Sequence, residues 1–460
     1  MVCVTHYDLV IIGAGSGNMI VNRGYDDLHV ATVEECHFGG TCLNVGCIPT
    51  KMFVVPADRA REAVDGPRLG VATSYDGVDW PAVRDRIFTR IDADSDGARD
   101  WRVRAPNHTV YDGRAEFTGE RTLRITRPDG GDETVTADQI VVAAGRRPAL
   151  PDIPGLDEVE VHTSDTVMRL PELPASMLIV GAGVVAAEFA HIFSAYGTTV
   201  VQVARGDRVL RDFDTDVSTA FTAQAGAQWD LRLGQQVAGV RRTAAGVAAT
   251  LDDGSEVEAA VLLVAIGRVS NADRLGVAAG GIATDAEGII VVDEYQRTSA
   301  PGVWALGDIA NHHQLKHVAN HEARVIKHNL LHPGDLVAAD HRAIPRAVFS
   351  SPRVATVGIT EDQARAAGRG YVAAVQRYAD VAYGWALEDT DHFAKVIADS
   401  TTGELLGAHI LGPDAANLIQ PLVQAMKSGV TAPELARGQY WIHPALTEVV
   451  ENVLLKVRLR

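Results

Sequence analysis

Cysteine is scarce in this chain, with four in 460 residues. That excludes a disulfide-stapled scaffold and makes the reducing cytosol the expected location. Basic charge is short as well: 42 Lys and Arg stand against 59 Asp and Glu, a formal net charge of -17. Nucleic acid and anionic membrane are thereby disfavoured as partners, because phosphate binding calls for clustered cations. Long apolar runs are missing; the best, MLIVGAGVVAA, is stopped by Glu188 before it could span a membrane. No basic leader precedes YDLVIIGAG, which already reads as a strand, so no signal peptide is expected. What remains is a globular composition, 47% hydrophobic and 22% charged, in a chain long enough for two to four domains.

What the sequence does have is one motif written twice. YDLVIIGAGSGN (7–18) and ASMLIVGAGVVAAEFAHIFSAYG (175–197) are each an apolar run feeding a glycine-rich turn, some 170 residues apart. Both fit the strand–turn–helix of a dinucleotide-binding unit. Gly13 and Gly15, and again Gly181 and Gly183, let the backbone turn tightly and approach a pyrophosphate, while the helix N-terminus offers N–H groups. The third glycine of the fingerprint is Asn18 in the first copy and Ala186 in the second.

The strand after each turn predicts which nucleotide is held. HVATVEE (29–35) brings Glu34 to a strand end 21 residues after Gly13, where a carboxylate accepts from a ribose 2′-hydroxyl, as FAD or NAD requires. TTVVQVARGDRVLRDFD (198–214) has no acid there and offers Arg205, Arg208 and Arg211, which suit the 2′-phosphate of NADPH. ADQIVVAAGRRP (137–148) and AAVLLVAIGRVSN (259–271) bracket the second unit, so one domain is expected inside another. TSAPGVWALGDIAN (298–311) ends a short strand on Asp308, a carboxylate suited to polyol hydroxyls such as a flavin's ribitol. From about 343 the pattern changes to alternating strands (AVFSSPRVATVGI, HFAKVIAD, LLGAHILG), with amphipathic helices around 413–429 and 444–456. The fold expected is α/β: two Rossmann-like domains and a C-terminal α+β domain. The predicted boundaries are 1–146 and 272–342 for FAD, 147–271 for NADPH, and 343–460 for dimerisation.

Two of the four cysteines, Cys42 and Cys47, lie in GGTCLNVGCIPTK (39–51). In a regular helix residues five apart are about 7.5 Å apart along the axis, so these could bridge only if LNVG is irregular. Zinc is a weaker alternative: Cys36, His37, Cys42 and Cys47 make a possible ligand set, but adjacent Cys36 and His37 fit one ion poorly and no second knuckle follows. Cys3 and Cys36 read as ordinary small apolar residues. A redox-active pair needs an electron source. A flavin site beside an NADPH site meets that need, because a flavin takes hydride and passes two electrons to sulfur.

GGTCLNVGCIPTK, the doubled GAG turns, ALGD and the terminal WIHPALTEVVEN resemble the flavoprotein disulfide reductases, the glutathione reductase and lipoamide dehydrogenase group, over essentially the whole chain. The resemblance implies that Cys47 lies against the flavin as the charge-transfer thiol and that Cys42 attacks substrate. It implies Lys51 near the flavin, paired with Glu188, and His443 with Glu448 as the acid–base dyad. It implies an obligate homodimer in which that histidine serves the other subunit. The cofactor-binding set it implies also includes Ser16, Gly17, Thr41, Ala115, Gly145, Val185, Gly267 and Arg268. The activity expected is NADPH-dependent reduction of a low-molecular-weight disulfide. A flavin-binding sensor or assembly subunit is the alternative of another class, against which both thiols and the whole HPALTE motif argue.

Overall fold

The computed structural model describes residues 4–459. The chain divides into two compact units: 1–50, 82–149 and 267–341 in one; 51–81, 150–266 and 342–460 in the other. The divisions fall inside two helices, Cys47–Asp65 and Trp80–Arg104.

The first unit is built on a seven-stranded sheet. Its parallel part runs His108–Asp112, Val30–Glu34, Thr5–Ile12, Asp132–Val142 and Val303–Ala305 in spatial order. Thr122–Thr126 and Arg114–Gly119 extend the sheet antiparallel from the long strand Asp132–Val142. Alternate side chains of the central strand serve opposite cores, Val10 and Ile12 on one face, Leu9 and Ile11 on the other. This is why the strand reads as a continuous apolar run and not as an alternation. The second face is covered by Ala319, Ala323 and Ile326 of the helix Lys316–Leu331.

The second unit holds a five-stranded parallel sheet in the order Asp230–Leu233, Thr199–Ala204, Ser176–Val180, Val261–Val264, Val161–His162. A three-stranded antiparallel sheet, Val237–Thr243, Gly246–Leu251 and Glu256–Ala259, shares its core. The same unit carries a five-stranded antiparallel sheet: Pro345–Val348, Val354–Gly358, Leu405–Leu411, Phe393–Asp399, Tyr371–Arg377. The segment AVFSSPRVATVGI is thus a hairpin, turning at the cis Ser351–Pro352 bond. The helical stretch expected around 413–429 is split into Ala415–Leu418 and Gln420–Ser428, and the last helix is Thr447–Leu455.

One expected element differs. After the first glycine turn there is no α-helix before the next strand, only the 3-10 segments Ser16–Met19 and Arg23–Tyr25. Asn18 bonds sideways to Arg102, and Asn22 turns its own side chain onto the Gly24 N–H at 3.1 Å. Side chains of this kind compete with helical backbone bonding. The second turn opens the 13-residue helix Val184–Tyr196 as expected.

Candidate functional site

The cysteine segment begins with two glycines at positive φ, Gly39 at 91° and Gly40 at 58°. A short helix, Gly40–Asn44, stops at Val45, and a new helix starts at Cys47 and runs 19 residues. The stretch between the cysteines is therefore broken at Val45–Gly46, the irregularity that a bridge between residues five apart requires. Cys42 is half-buried and Cys47 exposed at the helix end where the dipole favours negative charge. Asn44 clamps the segment by donating to Phe38 O (2.9 Å) and Gly40 O (3.0 Å), and Thr50 Oγ1 donates to Gly46 O at 2.6 Å. Thr41 is exposed on the short helix. Cys36 is exposed in a bend just past a strand end. Cys3 lies outside the described residues.

The glycine turn and the cysteine segment cross at backbone distance. A Cβ on Gly40 would stand 2.8 Å from Gly15 Cα, and Gly39 N donates to Ala14 O at 2.9 Å. At Gly13, φ is 102° and a Cβ would sit 2.5 Å from Ala143 O, so only glycine fits. Glu34 turns back on this loop and accepts from Ala14 N (2.6 Å) and Cys36 N (3.0 Å). Burial pushes its carboxyl up, and those two N–H groups oppose the push. A carboxylate has room for more than two donors, so a ribose hydroxyl can still bond it. Ser16 Oγ receives a bond from Lys316 Nζ at 3.0 Å and donates to Asn320 at 3.3 Å, and Gly17 is buried.

Asp308 lies in the 3-10 segment Gly307–Ile309, with its carboxyl raised chiefly by burial and pulled back by Arg268, Arg146 and Lys316. Arg146 holds the Asp308 carbonyl at 2.7 Å, and Arg268 holds the Arg146 carbonyl at 2.7 Å. Arg268 and Gly267 thus fall in the first unit, around Asp308. Gly145 accepts from Asn271 N at 3.2 Å beside them. Ala115 sits in an antiparallel strand with its methyl in the core. These residues fit a flavin dinucleotide: a turn that excludes side chains, a carboxylate for ribose and a cation-flanked carboxylate for polyol hydroxyls.

In the second unit Gly181 has φ 141°, and a Cβ there would collide with Ala265 O. Gly183 is the N-cap of Val184–Tyr196 without a side-chain cap, so the first N–H groups, including that of Val185, are left for an anion. Arg205 and Arg211 are exposed and Arg208 half-buried beyond the next strand. Arg211 lies across Gly206 and reaches Asp207 only at 3.9 Å. These residues fit a dinucleotide carrying an extra phosphate.

Lys51 and Glu188 are ion-paired, Nζ to Oε1 at 2.7 Å and to Oε2 at 2.6 Å. Glu188 also accepts from Phe349 N at 2.9 Å, and Lys51 lies 4.7 Å over the Phe349 ring. His443 Nδ1 and Glu448 Oε1 are 2.7 Å apart, with the imidazole 70% exposed and the carboxylate 17%. Glu448 sits in the first turn of Thr447–Leu455, where its other oxygen accepts from Ala445 N at 3.3 Å. The carboxylate fixes the ring and leaves Nε2 facing outward for proton transfer.

Three groups had no signal in the sequence motifs. Arg102 is 2% exposed, donating to Asn18 Oδ1 (2.6 Å), to the Asn18 carbonyl and to Val21 O (3.1 Å). Lys395, on a strand of the C-terminal sheet, bonds Asp214 (2.9 Å), Asp216 (2.7 Å) and Glu361 (2.7 Å), tying down the segment that carries the arginines. Asp58, on the Cys47 helix, meets buried His191 at 2.9 Å and Arg353 at 2.7 Å. Partners this far apart in sequence leave no periodicity to read.

Two dinucleotide turns, a split cysteine helix and a His–Glu pair on a C-terminal domain define the chain as a pyridine nucleotide-disulphide oxidoreductase. Residues 7–323 match that family and residues 344–454 its dimerisation domain, so the chain belongs to it and is an oxidoreductase working with FAD and a pyridine nucleotide. It is 50% identical over 458 residues to mycothione reductase of Mycobacterium tuberculosis, covering 98% of this chain and 99% of the relative. It is 33% identical to glutathione reductase of Burkholderia cepacia, covering 98% and 99%. Among solved structures, the HOCl-induced flavoprotein disulfide reductase RclA of Escherichia coli matches with TM-score 0.86 and 26% identity, over 98% of this chain and 100% of that one. Among the described residues no helix is long and apolar enough to cross a membrane.

Proposed function

We propose that this chain is a homodimeric, NADPH-dependent flavoenzyme that reduces mycothione to mycothiol in the cytoplasm. The observation that carries the substrate is the 50% identity, nearly end to end, with a mycothione reductase. The segments GAGSGN, HTSDTVM, LKHVANHEARV and GQYWIHPAL resemble that subgroup. Chemistry agrees with it. Glutathione disulfide is polyanionic and calls for fixed cations, and glutathione reductases place an arginine where this chain has the neutral Asn22. Mycothione carries no carboxylate. The domain assignment that goes with this reading is 1–146 with 272–342 for FAD, 147–271 for NADPH and 343–460 for dimerisation.

Bound FAD supplies a two-electron relay between nicotinamide and sulfur. The chain's own residues do the rest. Gly13, Gly15, Glu34 and Asp308 hold the flavin dinucleotide; Gly181, Gly183, Arg205 and Arg211 hold NADPH. Glu188 fixes the Lys51 ammonium, a cation that would suit negative charge on a bound flavin. With Cys42 and Cys47 reduced, Cys42 thiolate attacks one substrate sulfur and the substrate S–S bond breaks. His443 of the partner subunit protonates the departing thiolate. Cys47 thiolate then attacks the Cys42 sulfur, releasing the second thiol and closing Cys42–Cys47. Glu448 keeps the imidazole oriented and basic throughout. Overall, NADPH, a proton and one disulfide give NADP⁺ and two thiols.

The test is NADPH oxidation measured against mycothione, glutathione disulfide, lipoamide and cystine. A kcat/KM for mycothione at least tenfold above the others is expected; preference for lipoamide or glutathione disulfide overturns the substrate. Stopped-flow reduction by NADPH too slow for catalysis, with no turnover of any disulfide, would favour a flavin-binding sensor instead.

A further inference from the structure

The first dinucleotide turn differs from the second in two ways: a polar side chain stands where the second has the small Ala186, and its helix is short. Its third fingerprint position is Asn18, and its helix is reduced to the four residues Ser16–Met19. The second turn opens a helix of 13 residues. A segment of four residues has almost no macrodipole to set against a diphosphate.

Arg102 occupies the gap. It comes from the far end of the 25-residue helix Trp80–Arg104 and is 2% exposed. Its Nε donates to Asn18 Oδ1 at 2.6 Å, and one terminal nitrogen donates to the Asn18 carbonyl and to Val21 O at 3.1 Å. Its face lies 4.3 Å from the Trp101 ring. These hydrogen-bond partners are all neutral. Burial lowers the guanidinium to about 10, which leaves it charged at neutral pH. Its field also reaches His108, which burial and Arg102 together hold down to about 4. A buried cation satisfied only by neutral oxygens is costly, and an anion nearby relieves the cost.

We infer that Arg102 is a positioning residue for the flavin's diphosphate, locking the glycine turn through Asn18 and supplying the positive field that the missing helix would have given. Asn18 is then a coupled substitution: the side chain at the third position is the handle by which the guanidinium grips the turn. The carbonyls of Asn18 and Val21, which a full helix would have bonded internally, are satisfied by the same group. The inference rests on the flavoenzyme reading above.

The experiment uses the full chain stripped of FAD and titrated with FAD by flavin fluorescence, with ADP and adenosine as competitors. ADP carries the diphosphate and adenosine does not. Arg102→Gln and Arg102→Met should raise the FAD Kd about tenfold and cut the preference for ADP over adenosine by a similar factor. Arg102→Lys should restore most of that preference, and Asn18→Ala should leave it nearly intact while weakening FAD. Equal weakening of ADP and adenosine in the Gln variant means that Arg102 only packs, and overturns the inference. So does a Lys variant no better than Gln, or an unchanged FAD Kd in Gln. The Gln variant keeps a donor for the Asn18 carbonyl, so it tests the charge should Met not fold. If the unmutated apoprotein takes up no FAD, it is the flavoenzyme reading that fails.

Discussion

Replacing Arg205 and Arg211 by Ala should turn an NADPH enzyme toward indifference between NADPH and NADH. Both guanidinium groups are exposed beyond a strand of the second dinucleotide unit, and among the described residues the ion pair made there is Arg211 with Asp207 at 3.9 Å. A contact that long between exposed groups is worth well under about 1 kcal/mol, so little is lost when Arg211 turns to a phosphate. A charge-assisted hydrogen bond to the 2′-phosphate is worth about 1.5–3 kcal/mol, or roughly 10- to 150-fold in affinity. Two arginines on one phosphate do not add fully, so the double variant should lose about 100- to 1,000-fold in kcat/KM for NADPH. For NADH, which has no such phosphate, the loss should stay within about threefold. Gly206→Ala offers a subtler version, because the new Cβ would stand 2.7 Å from Arg211 Cδ and move that side chain. It should weaken NADPH more than NADH while leaving Arg205 in place. The assay is initial-rate kinetics with both nucleotides at saturating disulfide. Equal losses for the two nucleotides in the double variant would refute the reasoning, since a fold defect or a shared adenosine contact acts on both.

The thiols divide by spectrum: Cys42→Ser should keep FAD and show a long-wavelength charge-transfer band without disulfide turnover, and Cys47→Ser should lose the band. The opposite pattern reverses the assignment. Cys42→Ser and His443→Gln homodimers should each be nearly inactive, while the purified heterodimer regains about half the wild-type rate, because one of its sites then carries neither defect. A stable, flavin-loaded heterodimer that stays dead means His443 works within its own chain. Lys395→Met leaves Asp214, 1% exposed, without its ammonium partner, and should cost about 3–5 kcal/mol near pH 8 by thermal unfolding. In the wild type, burial raises Asp214 but the Glu361 N–H and the charges of His409 and Lys395 hold it below the usual range. That stability is present above about pH 4 and lost as pH falls through the lowered value. In Lys395→Met the buried Asp214 carboxyl loses its ammonium partner and rises instead, so the deficit against wild type should shrink at pH 5; a larger deficit there would sink the account.

The chemistry of this protein was written locally, and so it was legible. A glycine turn is dictated by residues within a few positions of one another, and GAG after an apolar run could be read twice without any structure. The same holds for Cys42 and Cys47, for His443 and Glu448 five residues apart, and for arginines in place of an acid after the second strand. Even the expectation that the two thiols needed an irregular link followed from helix rise alone, and the break at Val45–Gly46 meets it. The partner of Lys51 was legible through resemblance only, since Glu188 lies 137 positions away.

What the sequence could not decide was what long-range burial does to local propensity. The stretch after Gly13 fits the strand–turn–helix pattern, yet it folds as two 3-10 segments in which Asn18 is bonded by Arg102, 84 positions away, and Asn22 by the nearby Gly24 N–H. Likewise Lys395 reads as a polar residue in an apolar strand until three carboxylates from two other places in the chain close around it. A buried charge costs so much free energy that its partners must be brought together in space, and nothing in chain order records who they are. Local motifs determined the reaction; only the tertiary structure decided how its binding turns are held.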